Sequence, residues 1–101
     1  MKQLKGSTRK YLRGQAHHLK PVVMVGKNGL TDDVIGAIDE ALDSFELIKV
    51  KFIEFKKERK ELSEKIAERT RAEFLGTIGN IAMFFRQHPD EEQRKISLPV
   101  E

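Results

Sequence analysis

The four residues Gly26-Lys27-Asn28-Gly29 have the types and spacing to hold an anion. Two glycines can adopt positive φ and carry no side chain, so backbone amides can approach a phosphate while Lys27 adds a mobile positive charge. This is the chemistry of a phosphate-backbone clamp. The same residues would also serve as a plain strand-to-helix turn, and Asp32 and Asp33 oppose a phosphate lying on the axis of the following helix. Other chemistries find less support. His17 and His18 are adjacent, hence on different helical faces, His88 is the only other histidine, and there is no cysteine, so no metal, cofactor or catalytic residue is expected. Asp39, Glu40 and Asp43 could pass for paired acid and base groups, but with no nucleophile or histidine nearby they read as a solvated helix face.

The loop needs elements to hold it. Val22 to Val25 are four apolar residues, three of them β-branched, a pattern that predicts a central strand covered on both faces, with Pro21 at its entrance. Beyond the loop, Thr31 is a candidate N-cap, Asp32 and Asp33 suit the first helical turn, and Leu30 can staple to Ile35. Val34, Ile35, Ile38, Ala41, Leu42 and Phe45 then give an amphipathic helix. Before the strand, Thr8, Tyr11, Leu12, Gln15, Ala16 and Leu19 recur at helical spacing over residues 7–19. Lys5, Arg9, Arg13 and His17 recur three to four residues apart on another flank, so they line up as a row of cations.

Further along, Ile48, Val50 and Phe52 alternate with Lys49 and Lys51, which predicts a strand over residues 46–55 with one buried face; Ile53 and Phe55 fall off that register. Residues 56–71 predict a charged helix with a narrow seam of Leu62, Ile66 and Ala67. Residues 72–78 and 81–86 predict a hairpin turning at Gly79-Asn80. Phe84 and Phe85 cannot both point inward in a regular strand on this reading, which leaves one of them for edge packing or for a nucleobase. A polar loop over 88–93 and a short apolar tail from Ile96 to Val100, able to dock on the fold, follow.

At 101 residues the chain supports one core and one domain. Net charge is only +3, but its distribution is uneven. Residues 1–31 carry seven basic side chains and no Asp or Glu, whereas the remaining 70 hold 12 basic and 16 acidic ones. Such asymmetry around the glycine loop points to a polyanionic partner. Neither an apolar signal region nor a membrane-length apolar run is visible, so a cytoplasmic protein without membrane attachment is expected.

Five segments carry a resemblance: LRGQAHHLKPVV at 12–23, VGKNGLT at 25–31, ELIKVK at 46–51, IG at 78–79 and KISLP at 95–99. In that order the chain resembles the CRM domain family, named for chloroplast RNA splicing and ribosome maturation, in its single-domain bacterial, YhbY-like form. The resemblance implies an α/β chain of the α+β type: a two-layer mixed four-stranded sheet with three helices in the order α-β-α-β-α-β-β, similar to the C-terminal domain of translation initiation factor three. A single CRM-type domain would span residues 1–101. It also implies an RNA-binding protein whose partner is ribosomal RNA of the precursor large ribosomal subunit; with no catalytic constellation among the residues, a non-enzymatic monomer is expected. Its loop is likened to the Gly-x-x-Gly clamp of KH domains, carried here onto Gly26, Lys27, Asn28 and Gly29, with Arg13, His17 and Lys20 nearby. With Lys5 and Arg9 from the cationic flank, these nine residues form the expected RNA surface, and it requires the loop amides and the helix flank to look out the same way. An adaptor using the acidic second helix and an RNA-processing enzyme are the alternatives. Arg71 and Phe85 depart from the family pattern, which commonly has glycine and tyrosine there.

Overall fold

The computed structural model describes residues 4–99, so the docking expected of Val100 lies outside the described residues. Helix α1 (Gly6–Ala16) is followed by strand β1 (Val23–Val25), α2 (Asp32–Phe45), β2 (Leu47–Phe52), α3 (Arg59–Thr70), β3 (Glu73–Ile78) and β4 (Ile81–Phe85), with a short 3-10 turn at Glu91–Gln93. The class and the element order match those expected. The four strands form one mixed sheet in the order β1-β2-β4-β3, with β1 parallel to β2 and the other pairs antiparallel.

Two expectations fail for one reason: β2 and β4 are the central strands, covered on both faces. On one face α2 and α3 pack Ile38, Leu42 and Ile66 against Ile48, Val50, Phe52, Ala82 and Phe84. On the other, Leu12 and Ala16 of α1 join Leu47, Leu75, Met83 and Phe85, with Ile96 and Leu98 of the C-terminal segment packed against them. The sheet is thus sandwiched between helices, three layers rather than two. Phe84 and Phe85 both point inward, into opposite clusters. Each fully buried side chain of this size contributes about 1.5–3 kcal/mol relative to exposure. Strand β1, by contrast, is an edge strand: Val25 is buried but Val22 and Met24 are exposed, so the central placement expected for it is wrong.

Lys49 shows what double coverage does to an alternating strand. Its side chain is 9% exposed. The ammonium donates to the carbonyls of His17 at 3.3 Å and Leu19 at 3.0 Å, so it caps the end of α1 rather than pairing with acids or facing solvent. That bond set, with the Leu19 amide turned back to the Ala16 carbonyl, ends α1 earlier than the apolar stripe suggests.

Two helices end on non-glycine residues with positive φ, Glu46 at 63° after α2 and Arg71 at 58° after α3. Arg71 occupies the left-handed C-cap that glycine normally fills, which explains physically why glycine suits this position.

Candidate nucleic-acid interface

The glycine loop is built by β1 and α2. The Gly29 amide donates to the Gly26 carbonyl at 3.0 Å, closing a four-residue turn with Lys27 and Asn28 at its exposed corners. Only Gly29 has positive φ, at 70°; Gly26 does not use that freedom. The Thr31 side chain accepts from the Val34 amide at 3.1 Å, as expected of the N-cap, and fixes the start of α2. Among the described residues, the Lys27 and Asn28 amides donate to no protein acceptor. Asp32, which would oppose an anion here, faces Arg69 of α3 at 3.1 Å.

Behind the turn lies the connection from β2 to α3. The amides of Ile53 and Glu54 both donate to the Val25 carbonyl, which ties this connection to the end of β1. The Phe55 ring lies over Gly29, where an added Cβ would meet the ring at 3.6 Å. Lys27, Ile53, Phe55, Lys56 and Lys57 line an open recess of about 580 Å³, with Glu54 and Glu58 also at its wall.

The cationic flank of α1 divides. Arg9 pairs with Glu73 at 3.0 Å and also donates to the Phe74 carbonyl, while Arg13 donates to the Leu75 carbonyl at 3.2 Å. Both serve the edge strand β3 at its register shift between Phe74 and Gly76, where ladder carbonyls would otherwise lack partners. Lys5, His17 and Lys20 remain exposed; the His17 ring meets that of His18 edge-on at 5.2 Å. Helical spacing identified the flank but gave no signal for which strand it would grip.

Between α1 and the glycine loop the sheet is open. Met24, Lys51, Ile81 and Ile78 are cross-strand partners in one row on the α1 side. Met24 is 54% and Ile78 61% exposed, and Lys51 is exposed as well. The row lies about 7 Å from Gly26 on one side and the same from Lys49, beneath the end of α1, on the other, at roughly 3.3 Å per strand residue. Loop and helix therefore border one strip. Lys51 joins the strip through strand pairing, whereas Ile53 and Phe55 line the recess beside the turn; only the alternation of Lys49 and Lys51 hints at this in the sequence.

The acidic face of α2 is partly spoken for. Arg86 reaches Asp39 at 2.6 Å and Asp43 at 2.9 Å. Among the described residues no cluster of three or more His, Cys, Asp or Glu has metal-binding geometry, and no helix is long and apolar enough to cross a membrane.

Comparison with known proteins places this arrangement in a family. An RNA-binding protein of Haemophilus influenzae is 45% identical over 100 residues, covering 98% of each chain. "Probable RNA-binding protein YqeI" of Bacillus subtilis is 35% identical over 97 residues, covering 95% of this chain and 99% of its own. The solution structure of SAV1595 from Staphylococcus aureus, described as an RNA-binding candidate, superposes with a TM-score of 0.80 at 34% identity, covering 96% of this chain and all of that one. The family model for the CRS1/YhbY (CRM) domain matches residues 4–86, and the chain belongs to that family.

Proposed function

We propose that the chain binds RNA without catalysing a reaction on it, gripping sugar-phosphate at the turn of residues 26–29. The observation that carries this is the pair of Lys27 and Asn28 amides, free of protein acceptors among the described residues and set at a recess lined by Lys27, Lys56 and Lys57 together with Glu54 and Glu58. Lys5, His17 and Lys20 extend the positive field along α1, and Arg13 adds to it while anchored to Leu75. Arg9 contributes less because Glu73 neutralises it. The names of the relatives, as RNA-binding proteins, support the same reading. The family resemblance extends it to ribosomal RNA of the assembling large subunit, met by a cytoplasmic monomer.

Anisotropy titration of a structured large-subunit RNA fragment across a salt series tests it. About four to seven phosphate contacts should make log K fall steeply and linearly with log salt. A flat dependence would remove the phosphate grip. The adaptor alternative predicts instead an association with ribosomal particles that survives high salt on gradient sedimentation. The Arg86 pairs to Asp39 and Asp43 already engage two of the carboxylates an adaptor surface on α2 would use.

A further inference from the structure

We infer that Phe55 is a base-stacking residue, taking one unpaired nucleobase of the RNA strand whose phosphate sits on the glycine turn. The inference rests on the RNA-binding reading above and adds to it a second contact of different chemistry. Phe55 is 39% exposed although it is large and apolar. It sits at φ 57°, a conformation costly for a residue with a Cβ, and such strain persists only where surrounding structure enforces it. Here the enforcing contacts are visible. The Ile53 and Glu54 amides are drawn to the Val25 carbonyl, and the Phe55 carbonyl accepts from the Glu58 amide at 3.0 Å. One edge of the ring lies beside Gly29, where an added Cβ would stand in ordinary contact with it at 3.6 Å.

The consequence is geometric. Because the ring lies beside Gly29 and shares a recess with Lys27, a base on its free face would sit next to the turn that presents the Lys27 and Asn28 amides. Lys56 and Lys57 line the same recess and can meet the neighbouring phosphates. Lys27, Lys56 and Lys57 outnumber Glu54 and Glu58 around the ring, which favours a strand that alternates flat apolar bases with negative charge over a protein partner. Stacking tolerates any base, so the contact selects unpaired RNA over duplex rather than one sequence.

The test uses the full chain with single-stranded oligouridylate and oligoadenylate ten-mers, a duplex of the same length, and inorganic polyphosphate. Phe55→Leu keeps the packing on Gly29 but removes the aromatic face, and Phe55→Trp enlarges it. The leucine variant should bind the single strands about 5- to 100-fold more weakly, the tryptophan variant as well or better, with the salt slope of both unchanged because no charge is altered. Polyphosphate, lacking bases, should bind all three proteins alike. Equal losses for oligonucleotide and polyphosphate would assign Phe55 to loop shape alone and overturn the inference, as would unaltered binding by the leucine variant. In either case Lys27→Ala still reports on the phosphate grip, so the stacking contact can fail while the RNA reading stands. Failure of the unaltered protein to bind any of the RNAs would sink both. Self-association in sedimentation that disappears with Phe55→Leu would give the ring to a second copy of the chain and also overturn the inference.

Discussion

The carboxylate of Glu46 holds the backbone amide of Ile96 at 2.9 Å, fifty residues away in the chain. The same oxygen accepts from the Lys95 amide at 2.6 Å, and the other oxygen from the His88 amide at 2.7 Å. Glu46 itself is buried at the helix-to-strand corner between α2 and β2. One acidic side chain thus brings the C-terminal segment to the sheet, where Ile96 and Leu98 complete the packing under α1. The platform on which α1 rests is closed by this contact.

Glu46→Gln should therefore cost more than a surface substitution. The amide offers one acceptor oxygen and turns a donor toward backbone donors, leaving at least one of three N–H groups without a partner. A loss of about 2–3 kcal/mol is expected, or some 4–8 °C of Tm per kcal/mol for a domain of this size. Hydrogen exchange should accelerate most at Ile96. If the C-terminal amides exchange unchanged, the clasp has no energetic role.

Arg71→Gly should stabilise the protein. The residue holds a left-handed C-cap at φ 58°, ψ 35° and is exposed, so glycine relieves backbone strain at little cost in contacts. The gain expected is about 0.5–1 kcal/mol, part of the relief being offset by the freer unfolded chain. Arg71→Ala retains the strain and should give no gain, so chemical denaturation of the pair separates backbone from side chain.

These contacts also show which parts of the architecture were legible beforehand. Thr31 capping Val34 and the turn at Gly79 are settled by neighbours within a few residues, and both were readable. The run Val22 to Val25 was misplaced because its residues say that a strand exists, not that β4 would pair with the far side of β2 and leave β1 at the edge. Phe84 and Phe85 both turn inward because the sheet is covered on two faces, and that depends on where α1 lands rather than on the strand's own residues. In the candidate site, the glycine turn was legible from composition. The division of the cationic flank was not, because spacing shows that Arg9 and Arg13 share a side but not that β3 lies beneath it.

Asp90 gives an expectation for acid. Its side chain accepts from the Gln93 side chain and from the Glu92 amide, each at 3.0 Å, and these bonds hold its carboxyl below the ordinary value of 3.8. A depressed folded pKa means that the stabilisation is complete above the unfolded value and is lost as pH falls through the folded one. Since the carboxyl is fully exposed, the effect should be local. In an NMR titration the Glu92 and Gln93 amides should move below pH 3.8 while Phe84 stays fixed, and Asp90→Asn should remove the transition.

The two kinds of cation in the proposed interface should separate cleanly in experiment. Lys27 and Lys51 are exposed, beside the free amides and in the open row. Their replacement by alanine should leave stability within about 0.5 kcal/mol of the unaltered protein and lower the salt slope of RNA binding by about one per lysine. Arg9 has given its guanidinium to Glu73 and the Phe74 carbonyl, both partly buried. Arg9→Met should therefore destabilise by about 1–3 kcal/mol through the partners left behind while the salt slope at a temperature of full folding stays put. Paired thermal and salt-series measurements on the two single lysine variants, their double variant and Arg9→Met decide the matter. A reduced slope for Arg9→Met would mean that its charge reaches RNA despite Glu73, and a normal slope for the double lysine variant would move the phosphate path off the glycine turn.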